Sequence, residues 1–218
     1  ALLILVALFH VEVPQVLFSP SNAINVSSCG VLNQSGAYYV LNQSINTTLL
    51  NCIAITGNNI VLDGDYQNLN GAGFIPSRIN AYGNNITITR LNLTGSAFLV
   101  SYNSFNLSII DNYINNNYDS ISLDNVRGAL ISNNHVNTTL MRHPLFVING
   151  INLTFSANNF SGGSGFISGS SNVYISNSNL FPGYLGVSAS SVKIESGFVS
   201  NLSIENTKLH LINGSNSK

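Results

Sequence analysis

Residues Asn106 to Val136 read NLSIIDNYINNNYDSISLDNVRGALISNNHV. Within that stretch one pattern occurs twice: apolar, any residue, apolar, four more residues, apolar. Its two copies are Leu107/Ile109/Ile114 and Ala129/Ile131/Val136. Working outward, the same pattern appears before it as Ile86/Ile88/Leu93. It appears after it as Leu153/Phe155/Phe160, Val173/Ile175/Leu180 and Val192/Ile194/Val199. The first residues are separated by 21, 22, 24, 20 and 19 positions. Alternation of period two inside each copy predicts a strand with one face turned inward. A unit near 22 residues is too short for a propeller blade of about 40 residues, and the several Leu positions of a leucine-rich repeat are missing. The length suits one coil of a solenoid in which each strand pairs with its equivalent one coil later. The sequence therefore predicts an all-β fold: a single-stranded right-handed parallel β-helix of about eight coils, preceded by an extended N-terminal hydrophobic strand. A further copy at Leu202/Ile204/Leu209 follows its predecessor by only 10 residues, so one of those two copies must lie on a different face.

Composition agrees with many tight turns. Charged residues are 7% of the chain, against about 25% in ordinary domains, while hydrophobic residues reach 44%. The 35 Asn and 30 Ser replace the missing charge. Asn tolerates left-handed backbone angles and bonds to nearby backbone groups, which suits turn positions. Asn59, Asn85, Asn106, Asn152, Asn172 and Asn201 each precede the first apolar position of a strand. Stacked at one corner, their amides would bond along the solenoid as an asparagine ladder. A net charge of −1 and the lack of a basic run argue against nucleic acid as a partner. The longest apolar run, Ala1 to Phe9, is short of the roughly 20 residues of a membrane span.

Cys29 and Cys52 are 23 positions apart, which is one coil. Adjacent rungs are about 4.8 Å apart, close enough for a disulfide and thus for an oxidising compartment. Twelve Asn-x-Ser/Thr sequons occur. Those at Asn85, Asn106, Asn152 and Asn201 fall in the ladder motif. The remaining glycosylation candidates are Asn25, Asn33, Asn42, Asn46, Asn92, Asn137, Asn159 and Asn213, with Asn33, Asn42, Asn46 and Asn137 the better ones because they lie clear of that motif.

The chain divides into a hydrophobic strand and linker, 1–22, and a β-helix domain, 23–218. Ala1 to Phe18 is almost wholly apolar, then Ser19-Pro20-Ser21-Asn22 breaks it. The alternation His10-Val11-Glu12-Val13 and the β-branched residues favour a strand over a helix. Its apolar side chains (Leu2, Leu3, Ile4, Leu5, Val6, Leu8, Phe9, Val11 and Val13) need burial, either over the chain's own first rung or in a neighbouring subunit, the remaining alternative being a retained signal or anchor. Donation to a neighbour would be head-to-tail and would propagate into a filament.

Chemistry-bearing clusters are sparse. Asp111, Asp119 and Asp124 are expected to share a side of one coil, with Arg127 near them. Asp63-Gly64-Asp65 reads as a turn rather than a calcium loop. His135 and His143, with Met141, are thin support for a copper site. The Phe and Tyr residues read mostly as core. No catalytic residue, cofactor or metal is assigned.

The quoted Asn106–Val136 stretch, and NNIVLDGDYQNLNG at Asn58–Gly71, resemble the repeats of right-handed parallel β-helix proteins of the pectin-lyase-like superfamily. That group includes archaeal secreted and cell-surface proteins and a periplasmic copper-maturation group. The stretch from Cys29 through Gly36-Ala37-Tyr38-Tyr39 to Cys52 and Leu62-Asp63-Gly64 is similar to the first coils of the archaeal surface members. The resemblance spans about residues 27–212. It lacks the Asn-Thr-Asp, Asp-Asp and Gly-His-Gly signatures of the superfamily's pectin-degrading enzymes. The resulting expectation is an extracellular, cell-surface structural protein. It would be a glycosylated filament subunit whose partners are copies of itself and N-linked glycans. The alternative is a secreted β-helix that binds or cleaves polysaccharide.

Overall fold

The computed structural model describes residues 22–218 apart from 73–75, 117–118, 139–142, 181–183, 190, 197, 201, 206–207, 213–214 and 218. Only the backbone is described at 116, 180, 184, 198–200, 202, 204–205, 209–212 and 215–217. The chain is an all-β, right-handed parallel β-helix. It winds over three faces in a constant order. Ile86–Thr89 lies on face 1, Asn92–Gly95 on face 2 and Ala97–Tyr102 on face 3. Leu107–Ile110 then returns to face 1, with Leu107 beside Ile86 and Ile109 beside Ile88.

Each copy of the sequence pattern bridges a bend. Its apolar-x-apolar pair sits on face 1 and its last apolar residue on face 2. The register makes two continuous columns inside the solenoid. Leu62, Ile88, Ile109, Ile131, Phe155, Ile175 and Ile194 stack on face 1. Ile45, Leu69, Leu93, Ile114, Val136 and Phe160 stack on face 2. All thirteen are buried. Their side chains fill the lumen because a strand turns every second residue to the same side.

Face 3 had no pattern of its own in the sequence, although it too is apolar inside, for example at Ile53, Ile79, Leu99, Ile121 and Leu145. The connection from face 2 to face 3 varies in length, which hides the repeat. It resolves the crowded last copies. Leu202–Glu205 pairs with Tyr184–Ala189 on face 3, Leu202 beside Leu185 and Ile204 beside Val187. Leu209 continues face 1 beside Val192.

The bends explain the asparagine content. Sixteen described non-glycine residues have positive φ, and ten of them are Asn. The left-handed region is costly for most side chains, and Asn and Gly enter it most readily. Asn59, Asn85, Asn106, Asn152 and Asn172, all at φ 53–55°, turn the chain from face 3 into face 1. Three residues earlier in successive coils stand Asn103, Asn125, Asn149 and Gly169, also at positive φ. From Asn103 to Asn172 this bend therefore carries two left-handed positions per coil. No helix among the described residues is long and apolar enough to cross a membrane.

Candidate functional surface

Hydrogen-bonded polar columns run along the outside and inside of this frame. At the bend into face 1, Asn85 donates its amide to Asn59 Oδ1 at 2.7 Å and Asn106 to Asn85 at 2.9 Å. After a break, Asn172 donates to Asn152 at 2.9 Å, and the Ser191 hydroxyl bonds Asn172 Oδ1 at 3.0 Å. The break is Gly128, which has φ 70° and occupies the ladder position between Asn106 and Asn152. Asn201 lies outside the described residues. The neighbouring column adds Asn125 to Asn103 at 2.6 Å.

A second ladder, at the bend from face 1 to face 2, is buried and was missed in the sequence. Asn112, Asn134 and Asn158 are each at most 2% exposed. The Asn112 amide donates to Asn134 Oδ1 at 2.9 Å, and the Asn134 amide to Asn158 Oδ1 at 3.0 Å. The same oxygens accept backbone N–H groups: Leu91 bonds Asn112, Asn112 bonds Asn134 and Asn134 bonds Asn158, each at 3.0 Å. Ser178 extends the column, accepting the Asn158 N–H at 3.1 Å. Its signal was present: an Asn stands two residues before Ile114, Val136 and Phe160.

Face 2 presents the third array. Its outward row is Asn46, Asn70, Thr94, Asn115, Asn137 and Ser161. Asn70 donates to Asn46 at 3.1 Å, and Asn137 to Asn115 at 3.4 Å. The Ser161 hydroxyl donates to Asn137 at 3.1 Å. Asn46 and Asn137, glycosylation candidates clear of the ladder at the bend into face 1, are exposed members of this second outer row. Their sequons recur because the face 2 strands repeat. The adjacent row holds Asn92, Tyr113, His135 and Asn159. Here the Asn92 amide is donated to the Tyr66 carbonyl at 2.7 Å, and Asn159 Nδ2 lies 3.2 Å from His135 Nδ1. Asn25, Asn33 and Asn42 are exposed, and among the described residues no side-chain hydrogen bond engages them. Asn213 lies outside the described residues.

At the N-terminal end Cys29 and Cys52 form a disulfide, with Cα atoms 4.4 Å apart. They sit one above the other, since the following residues Gly30 and Ile53 are register partners on face 3. Close by, the Asp63 carboxylate is buried and receives the Tyr38 hydroxyl, the Arg90 guanidinium and, at 2.9 Å, the Asp65 amide. Burial alone would raise its pKa, but the Arg90, Tyr38 and Asp65 hydrogen bonds outweigh it and hold the carboxyl below the ordinary aspartate value. Asp63-Gly64-Asp65 is thus a turn whose one buried charge is engaged by Arg90.

The acidic group anticipated on one side is dispersed. Asp111 follows face 1 and accepts from Asn133 at 2.5 Å. Asp119 precedes face 3 and lies 3.1 Å from His143 Nδ1. Asp124 closes the face 3 strand Ile121–Asp124, so the three acids occupy three different bends of one coil. Spacings of eight and five residues each carry the chain past one face, which moves a side chain to the next bend. Arg127 stacks over the Phe105 ring at 5.7 Å. His135 stacks on Tyr113 on face 2, while His143 packs against Phe146 and Phe166 at face 3; Met141 lies outside the described residues. No group of three or more His, Cys, Asp or Glu gathers among the described residues. The aromatic residues are also redistributed. Tyr66, Tyr82, Phe105 and Tyr113 are exposed, and several rings are covered by cations, as Tyr66 is by Arg90 and Tyr174 by Lys193.

The remaining feature is the strand order of face 2 among the described residues. Face 2 holds nine strands, with Ile45–Thr47 at one limit and Ser215–Ser217 at the other. The expected inter-subunit strand, Leu2 to Val13, lies outside the described residues. Neither a scan of protein-family models nor a search of curated proteins returns a match to this chain.

Proposed function

We propose that this chain is an extracellular structural protein: a glycosylated cell-surface filament subunit that polymerises head-to-tail through its N-terminal strand. The pectin-lyase-like, archaeal-surface affinity suggested by its repeats belongs to the same reading. One observation carries it. The two ends of the solenoid present unpaired edges of the same faces, running in the same direction, among the described residues. The end of one copy is therefore complementary in hydrogen bonding to the beginning of the next, and such a heterologous contact propagates. The disulfide suits an oxidising environment. Exposed sequons at Asn25, Asn33 and Asn42 leave room for glycans that would solubilise a surface poor in charge. The separation of Asp111, Asp119 and Asp124 over three bends supports a structural rather than a catalytic role.

Negative-stain microscopy of the purified full chain, with no ligand added, tests the reading. Filaments are expected. A monodisperse monomer at all concentrations, binding a polysaccharide, would replace this proposal with the carbohydrate-binding alternative.

A further inference from the structure

Three sequons occupy equivalent positions at the bend into face 1: Asn85-Ile86-Thr87, Asn106-Leu107-Ser108 and Asn152-Leu153-Thr154. In each the Asn is exposed at φ 53–55°, the second residue is buried in the lumen and the hydroxyl residue is half-buried on face 1. Exposure and backbone therefore do not separate them. Their amide nitrogens do. The Asn85 nitrogen donates to Asn59 Oδ1 at 2.7 Å, and the Asn106 nitrogen to Asn85 Oδ1 at 2.9 Å. The Asn152 nitrogen has no hydrogen-bond partner among the described residues, while its oxygen accepts from Asn172 at 2.9 Å.

The cause is Gly128. Register sets Arg127 beside Ile151 and Ala129 beside Leu153, so Gly128 is the residue beside Asn152 on its N-terminal side. Each described amide bond of this ladder runs from a nitrogen to the oxygen of the preceding rung. Asn106 therefore turns its oxygen toward Gly128, where a Cβ would stand 2.9 Å from it. Asn152, whose oxygen is taken by Asn172, turns its nitrogen toward Gly128 from the other side. The glycine thus leaves a gap the size of one side chain, and the nitrogen that borders it belongs to a sequon.

We propose that Asn152 is an N-glycosylation site and that Gly128 is what admits the sugar. The inference rests on the glycoprotein part of the reading above and names a site for it inside the ladder. In the transfer, a bond forms between Asn152 Nδ2 and the sugar C1 as the C1–oxygen bond to an activated, lipid-linked oligosaccharide phosphate breaks. The nitrogen loses one proton, which leaves with the lipid phosphate. The first sugar then lies against that nitrogen. At Asn85 and Asn106 the preceding rung, about 4.8 Å away, holds an Asn side chain bonded to the nitrogen, and a sugar would have to part the two amides. At Asn152 the preceding rung holds a glycine. The bond from Asn172 survives, because it uses the Asn152 oxygen. Ladder and glycan are compatible at one of the three equivalent sequons.

The test is glycopeptide mass spectrometry of the full chain secreted from an N-glycosylating host, which reads the occupancy of each Asn. Asn152 should be modified in most molecules and Asn85, which has the same Asn-aliphatic-Thr sequence, in few. G128N adds no sequon and should lower Asn152 occupancy by closing the gap. N59G removes the partner of the Asn85 nitrogen at a position already at φ 55°, and should raise Asn85 occupancy. Circular dichroism matching the parent establishes that each variant is folded. Equal occupancy at Asn85 and Asn152, or occupancies that neither variant moves, would overturn the role of Gly128. Glycans at Asn25, Asn33 or Asn42 with a bare Asn152 would overturn this site and leave the glycoprotein reading intact. A chain bare at every sequon would overturn that reading together with the site.

Discussion

The bend between faces 1 and 2 is held in two different ways along the solenoid. In the early coils it is ionic: Asp63 draws Tyr38 and Arg90, from neighbouring rungs, onto one buried carboxylate. In the later coils it is neutral: Asn112, Asn134 and Asn158 pass amide hydrogen bonds from rung to rung and accept the bend's backbone N–H groups. Both solutions meet the same requirement, since a buried turn must satisfy its backbone groups. They differ in what disturbs them. A carboxylate responds to acid. An amide ladder has no charge to lose, and its cost of disruption lies in the buried groups it would leave unpaired.

That contrast is open to direct attack. The largest effect is expected from Asn134→Ala. It removes the amide bonds to the Ile109 and Ser132 carbonyls and to Asn158, and strands the buried Asn112 N–H. Urea denaturation should show a loss of about 3–5 kcal/mol, independent of pH between 3 and 7 in its size. A loss below about 1 kcal/mol would mean that water replaces the ladder at little cost.

Reducing the Cys29–Cys52 disulfide, or replacing both residues by Ser, should cost about 3 kcal/mol on the chain-entropy account for a loop of that length. The loss should fall on the early coils. Hydrogen exchange should therefore rise around residues 29–55 and leave the amide ladder protected.

Acid separates the two bends. Asp63 has its carboxyl below the ordinary aspartate value in the folded protein. A depressed value means that its contribution is complete above about pH 4 and fades as pH falls through the lower, folded value. The melting temperature of the parent should drop in that acid range. In Asp63→Asn the part of the drop due to this group should vanish, the variant starting lower at neutral pH. Asn134→Ala should keep the acid response due to Asp63, because the amide ladder it interrupts carries no charge and makes no contact with that carboxylate.

Asn85→Ala tests the exposed ladder, where solvent can replace a lost partner. Its loss should be about 1–2 kcal/mol, mainly from placing Ala at φ 55°. Asn85→Gly should recover most of it. The smallest change is expected from Gly128→Asn, which would restore the missing rung. A Cβ there approaches Asn106 Oδ1 at 2.9 Å, the movable end of a side chain, and Asn accepts the positive φ. A gain of up to about 0.5 kcal/mol in unfolding free energy is expected, and a loss above about 1 kcal/mol would show that the bend is already tightly packed.

How much of this was readable in the residues depends on the face. Faces 1 and 2 were legible from Ile86 onward because the bend between them there keeps one length, so Ile109 and Ile114 have the same spacing as Ile131 and Val136, whereas the earlier pair Leu62 and Leu69 is spaced differently and escaped the pattern. Face 3 was not, because the connection before it changes length from coil to coil. The cysteine pairing followed from the same constancy, 23 residues being one turn of the coil. The outer ladder was recognisable, since Asn before a strand is both a left-handed turn former and a sequon start. The face 2 row that holds Asn46 and Asn137 was not recognised, because only the register of the strands stacks those residues.

The sequence by itself determined the solenoid, its repeat length and the stacked cysteines, because a periodic pattern needs only local alternation and a constant step to be read. The tertiary structure alone decided which polar residues meet. Asp111, Asp119 and Asp124, near in sequence, are sent to three bends. Asn112, Asn134 and Asn158, more than twenty residues apart, are brought into one buried column. In a coil of three faces, separation by a third of a turn divides side chains and separation by a whole turn joins them. The short connection at Ser27–Cys29 also emerged only in three dimensions, where it passes from face 1 at Ile24–Val26 to face 3 at Gly30–Leu32 with no face 2 strand between them.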